Sequence, residues 1–317
     1  MTGTDARNAW PELSYTRLQP TAGTLQLWTQ IVGKVAVARL PWINHAWHVT
    51  LHLSARGLIS PLIPCGALAL QLEFDFLGQE LVVRTTEGRE RRIPLTAGSV
   101  AGFYRHVMDA LTALGAPTRI VARPNELPDS TPFEEDRSSR AYDPQAARDL
   151  WLAMVQMSGV FGRFRSRFLG KNSPLHFFWG AADLALTRFS GRRAPLHPGG
   201  APNLPDAVTR EAYSHEVSSA GFWPGDPRFP EPAFYSYAYP APDGFAQARV
   251  SPAAARYDEG LGEFVLPYAA VRAAADPDAD LMAFLQSTYE AAANLAGWDR
   301  AALECEEGQP GRPRAVG

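Results

Sequence analysis

The side chains best suited to chemistry in this chain are its histidines and the arginines near them. His45 precedes an alternating stretch (PWINHAWH), and His48 and His52 lie within WHVTLHLS. His176 opens SPLHFFWG, His197 sits in PLHPGG, and His215 stands beside Glu216 in YSHEVSSAGFWPG. Imidazole is the side chain whose ordinary pKa lies near neutrality, and it is the commonest transition-metal ligand. Three histidines with a carboxylate would suit zinc, iron or manganese. Spacing limits the choice. His48 and His52 are four residues apart, about 13 Å along a strand, so they cannot ligate one ion. There is no HExxH, no HxD and no paired cysteines. The metal candidates are therefore the dispersed trio His48, His176 and His215. The same three with Glu216 are the candidates for general acid–base catalysis, a role worth about 10²–10⁴-fold in rate. His215 and Glu216 are neighbours on a predicted strand and point to opposite faces, so only one enters a given pocket. Asp183 is the other carboxylate available to orient or neutralise an imidazole.

An anionic substrate needs cations to hold it. Residues 160–193 carry seven Lys/Arg and one Asp, with phenylalanines and Trp179 interleaved, whereas residues 256–310 carry eleven Asp/Glu and three Arg. Arg188, Arg192 and Arg193 are the candidate clamp for a carboxylate or phosphate through charge-assisted hydrogen bonds. His197 is expected on a lid-like loop, with Trp179, Phe222 and Trp223 as walls. The basic aromatic stretch also fits single-stranded nucleic acid or a partner protein, which makes a non-catalytic binding module the alternative function. A plainer account is that the basic and acidic regions pair with each other across the fold.

Other signatures are missing. The chain has no GxSxG elbow, no GxxxxGK[ST] loop and no GxGxxG after a strand. Ser218 and Ser219 near His215 and the lone Cys65 are weak nucleophile candidates. Tyr235, Tyr237 and Tyr239 alternate on one strand face and read as sheet surface or pocket wall.

Several elements must position these residues. Thr21 or Thr24 caps a predicted helix carrying Leu25, Trp28, Ile31, Val32 and Val35. Trp47–Ser54 and Leu68–Phe76 alternate strictly, as strands do. On that reading His48, His52, Glu73 and Asp75 share a polar sheet face. Leu77-Gly78-Gln79 turns into Glu80–Thr86, then Glu90–Pro94, and Ser99 caps an amphipathic helix that stops at Gly115. The segment 124–144 holds four prolines and eight charged residues and reads as a linker or surface loop. Asp143-Pro144 then opens a helix lined by Leu150, Trp151, Met154 and Val155. Strands follow at His176–Phe189, Tyr213–Ser219, Phe234–Tyr239 and Glu263–Leu266, and a helix at Asp280–Leu295. The expected architecture is α+β, with two similar halves. Each is a curved antiparallel sheet of about four strands with flanking helices, consistent with internal duplication. The expected organisation is a first half at 1–123, a linker at 124–144, a second half at 145–303 and a polar tail at 304–317.

The 317 residues carry a formal net charge of -3, 46% hydrophobic and 20% charged residues. This balance excludes disordered and fibrous classes, and no apolar run approaches the roughly 18 residues of a membrane span. Two distant cysteines and an N-terminal stretch without a basic-then-apolar pattern point to a cytoplasmic protein. The mild negative charge disfavours nucleic acid as the general partner.

The stretches PWINHAWHVTLHLSARGL, FLGKNSPLHFFWGAADLALTRFSGRRAPLHPGG and REAYSHEVSSAGFWPG resemble a conserved bacterial domain-of-unknown-function family, family 5996. The resemblance runs from Trp10 to about Leu303 and implies no activity and no catalytic residues. The residues themselves predict a pocket between the two halves, lined by His and Arg. They predict that it binds a small anionic metabolite and acts on it by histidine acid–base or metal-assisted chemistry.

Overall fold

The computed structural model describes residues 10–314. Helix α1 (Tyr15–Arg39) runs through the middle of the protein, with Ile31, Val32 and Val35 fully buried. Thr21, Thr24, Thr29, Gln30 and Lys34 are buried as well, so the helix is enclosed on most sides, although the row Leu25, Trp28, Ile31, Val32 and Val35 at helical spacing is what announced it in the sequence. Its start lies further upstream than expected, with Ser14 in the capping position. Trp28 stacks on Phe103 at 4.6 Å and so joins α1 to α2 (Val100–Ala113). As expected, Ser99 caps α2 by accepting from the Gly102 amide.

Two antiparallel sheets of six strands each flank this axis, rather than the four per half expected. The first contains β1 (His52–Leu53), β2 (Gly57–Ile59), β3 (Ile63–Cys65), β4 (Leu68–Asp75), β5 (Glu80–Thr85) and β6 (Glu90–Pro94). Its order is β1-β2-β4-β5-β6, with β3 also paired to β4. The second contains β7 (His176–Phe178), β8 (Asp183–Arg193), β9 (His215–Trp223), β10 (Ala233–Tyr239), β11 (Arg256–Asp258) and β12 (Glu263–Pro267). Its order is β11-β12-β10-β9-β8-β7. One antiparallel bridge, Leu51 to Phe177, ties the two sheets edge to edge. Among the helices, α3 (Pro144–Ser166) begins at the expected Asp143 cap, and α6 (Pro277–Leu295) is capped by Asp276. The shorter α4 (Asp206–Ala212), α5 (Tyr268–Ala273) and α7 (Arg300–Leu303) complete the set. No described helix is long and apolar enough to cross a membrane.

Trp47–Ser54 departs most from expectation. Asn44–Val49 forms 3-10 turns, and His45 and Ala46 take left-handed backbone conformations with φ of 61° and 56°. Only His52–Leu53 pairs as a strand. The alternating pattern therefore does not put His48 and His52 on one sheet face. Nor is the polar face of β4 simply solvated. Glu73 is buried against Arg84 at 2.6 Å and Ser54 at 2.7 Å. Asp75 is buried against Arg56 at 2.6 Å.

The second sheet obeys the two-residue period that positions the site. Leu184, Leu186, Ala220, Phe222, Phe234, Phe264 and Leu266 face one way, buried in the main core. Asp183, Ala185, Thr187, Phe189, Val217, Ser219, Tyr235 and Tyr237 face the other way and line a cavity.

Candidate functional site: an aromatic cavity with a carboxylate end

The cavity has a volume of about 1100 Å³, at the upper end for small-molecule sites. Its floor is the polar face of the second sheet. Its walls come from the end of α1 (Lys34, Val37, Ala38), the 3-10 turns (His45, Trp47, Val49), the chain at 119–126, and the segment 201–213 that includes α4. Residues 124–144, expected as a linker, thus bring Asn125 and Glu126 to the wall and bury Phe133 in the core. Trp42, Trp47, Trp179, Trp223, Tyr213 and Tyr235 supply much of the lining.

Polar groups gather around the start of β8. Tyr235 on β10 reaches over Gly221 on β9 and donates its hydroxyl to Asp183 Oδ2 on β8. Gly221 is needed there, because a Cβ would overlap the Leu184 carbonyl oxygen and the Tyr235 hydroxyl. Asp183 is 9% exposed, and its Oδ1 accepts no hydrogen bond from another side chain among the described residues. Burial pushes its pKa up to about 6, against the lowering pull of Tyr235. Glu126 is exposed as a residue, yet its carboxyl end packs over Gly180, where a Cβ would overlap Oε1. Loss of solvent at that end, then the Asp183 charge, raises its pKa to about 7, opposed by Lys34. Glu263 at the start of β12 is raised to about 8 by burial and then by Asp183 and Asp258. The cation among them is Lys34, whose ammonium donates to Asn125 Oδ1 and sits 5.6 Å from the Trp179 ring centroid. Burial lowers its pKa to about 8. Trp179 is fixed in turn by its indole N–H, which donates to the Val49 carbonyl at 2.8 Å. Beside these groups, Tyr213 and Tyr237 share a hydroxyl–hydroxyl bond of 2.7 Å, and Thr187 and Ser219 one of 2.9 Å.

The opposite end, about 20 Å away along β8, is marked by His45 against Phe189 at 4.7 Å. The Lys171 ammonium lies 2.6 Å from His45 Nε2. An ammonium only donates, so Nε2 accepts and Nδ1 carries the proton, which it gives to the Ala212 carbonyl at 2.7 Å. Burial lowers the His45 pKa and keeps the ring neutral.

Of the residues expected at a site, Trp179, Trp223 and Asp183 line the cavity, Asp183 at its carboxylate end. His48, His176 and His215 do not line it, and each packs against other rings. His48 lies edge-on to Trp42 at 4.8 Å, and its Nδ1 accepts from the Ile43 amide. His176 is fully buried between Phe178, Trp47 and His52, with neither nitrogen bonded to a protein group. His215 lies 6.3 Å from His45, ring to ring, with its Nδ1 on Ser214 Oγ. Among the described residues no three His, Cys, Asp or Glu side chains form a metal-holding group. Glu216 turns away to Arg192 at 2.7 Å. Arg192 also donates to the Ala296 and Gly297 carbonyls at the end of α6. Arg188 is buried among the rings of Phe164, Phe168 and Tyr289, and Arg193 is exposed at the end of β8. None of the three arginines lines the cavity. His197 stacks on Tyr213 at 4.8 Å, one layer behind the wall, while its loop supplies Ala201 and Leu204 to the lining. Phe222 faces the core.

Sequence reasoning missed Lys34, Glu126 and Glu263. The available signals were a lysine inside the apolar run 31–37 of α1 and a glutamate opening a strand of buried residues.

Neither curated proteins nor solved structures give a match to the chain. A family model described as a family of unknown function (DUF5996) matches residues 10–305, so the chain belongs to that family.

Proposed function

We propose that this protein binds a small organic metabolite in the aromatic cavity and moves a proton on it. The carrying observation is the Asp183 constellation: three carboxylates, a lysine and three tyrosines opening into one large, aromatic-walled space. Their pKa values of about 6, 7 and 8 straddle neutrality. One member can therefore hold a proton while another accepts one, the condition for paired acid and base roles. They titrate as a coupled set. We place the chemistry on carboxylates rather than on His48, His176 and His215. We leave the metabolite's charge apart from the arginines, since Arg188 and Arg192 are engaged elsewhere. Use of residues 160–193 as a nucleic-acid surface has less support, because Arg163 and Arg167 both pair with Glu307.

The test is a metabolite-library thermal-shift screen on wild type and Ala185→Trp, which fills the cavity from its floor. Compounds should stabilise the wild type and not the filled variant. A screen in which no compound separates the two proteins refutes the reading.

A further inference from the structure

We infer that the Asp183 end of the cavity is an organic-cation site, taking a protonated amine carried on an apolar or aromatic body. The inference rests on the cavity reading above and narrows its ligand class. Three observations carry it. First, carboxylate capacity is left over. Asp183 is nine-tenths buried with one oxygen committed to Tyr235, and Glu126 and Glu263 accept no side-chain hydrogen bond among the described residues. Lys34 is the cation set among them, and its ammonium is already engaged by Asn125. The two arginines that also line the cavity, Arg119 and Arg228, are exposed, and Arg228 pairs with Asp226 at 2.7 Å. Second, the surroundings are aromatic, and the protein already places a cation there. The Lys34 ammonium lies over the Trp179 ring, with Tyr213, Tyr235, Tyr237 and Trp223 completing the wall. Ring faces attract cations, and most strongly where water is excluded. Third, the carboxylates sense one another electrostatically, yet they do not close into a metal-holding group among the described residues. A bare metal ion needs oxygens about 2.0–2.6 Å away on several sides. An ammonium on a carbon body is larger, and hydrogen-bonds to oxygens spread around it. The remaining volume, floored by Ala185, Thr187 and Val217, suits that body.

The test is calorimetric titration of the full chain at pH 8 with phenethylamine and tryptamine. Each is compared with its alcohol (2-phenylethanol, tryptophol) and carboxylate (phenylacetate, indole-3-acetate) counterparts. The amines should bind about tenfold or more tightly than either counterpart. Glu263→Gln should erase most of that preference, and Asp183→Asn should do the same where it folds. Alcohols or carboxylates binding as well as the amines would overturn the cation assignment and leave the cavity reading standing. An amine preference that survives Glu263→Gln and Glu126→Gln would also overturn it, as would no amine binding at all. The cavity reading itself is decided by the library screen.

Discussion

The Tyr235 hydroxyl bonds Asp183 two strands away, across a β9 residue that has no side chain. Burial works to keep Asp183 protonated, and this bond works to ionise it. Tyr235→Phe should therefore raise the Asp183 pKa further and cost about 1–2 kcal/mol of stability. Carboxyl chemical shifts followed through a pH titration, with denaturant unfolding, measure both. An Asp183 titration that stays put in Tyr235→Phe would show that the phenol does not tune the acid.

Gly221→Ala tests the same crossing from below. The added methyl meets a backbone carbonyl as well as the phenol, and a backbone atom cannot rotate away. Overpacking of this kind costs about 1–3 kcal/mol. The variant should lose that much in chemical denaturation, whereas Ala220→Gly on the core face should lose less. Equal losses would mean that no close approach exists at Gly221.

The acid cluster also sets how stability varies with pH. Asp183, Glu126 and Glu263 have folded pKa values of about 6, 7 and 8, all above ordinary carboxylate values. Through this window the folded protein holds more protons than the unfolded chain, so the contribution of these groups falls as pH rises from about 4.5 to 8. Lys34, lowered to about 8, acts in the other direction, adding stability from about pH 8 to 10.5. Removing one carboxyl proton should flatten the first slope. Glu263→Gln should lose less melting temperature between pH 5.5 and 8 than wild type, and parallel curves would contradict the raised value.

His176 governs the acid side. It is fully buried with both nitrogens unbonded by protein groups, and burial lowers its pKa to about 3. The unfolded chain takes up a proton near pH 6.5 that the folded protein refuses until about 3, so this contribution is lost as pH falls through that range. His176→Leu should reduce acid sensitivity between pH 6 and 4. At pH 7 it should be neutral or stabilising by about 1 kcal/mol, because it removes unsatisfied polar atoms. A loss above that size at pH 7 would show the imidazole to be held by bonds.

Local signals made much of the fold legible in the sequence. Ser99 and Gly115 bracket α2, and Asp143-Pro144 opens α3, because caps and turns depend on neighbouring residues alone. Strand periodicity separated the two faces of β4 and set the alternating tyrosines of β10 on one face. The failure at Trp47–Ser54 has a local cause that no pattern displays: two successive left-handed residues, His45 and Ala46, turn an alternating stretch into 3-10 geometry. The site was less legible because its parts are far apart in sequence. Lys34, Glu126, Asp183 and Glu263 come from a helix, a proline-rich segment and two strands, and only tertiary packing joins them. Of the aromatics expected as walls, Trp179 and Trp223 line the cavity and Phe222 faces the core. The histidines drew attention by type, but only His45, His48 and His176 of the seven are buried, and of those three only His45 lines the cavity.

Arg188 shows how residue type misleads when burial is unknown. A guanidinium beside Arg192 and Arg193 suggests an anion clamp, yet Arg188 points away from the cavity, with its carbon 3.5 Å from the Phe164 ring centroid and 4.3 Å from that of Tyr289. Its Nη2 donates to the Phe164 carbonyl, and burial lowers its pKa to about 10. The cation holds α3 to β8 and α6 through ring faces rather than through a carboxylate. Arg188→Ala should thus cost about 2–4 kcal/mol, the range for emptying a buried site of comparable volume. The folded fraction should bind cavity ligands as wild type does. Asp183→Asn should show the reverse, with ligand binding impaired beyond any loss of stability. Weakened ligand affinity in folded Arg188→Ala would return this arginine to the binding machinery.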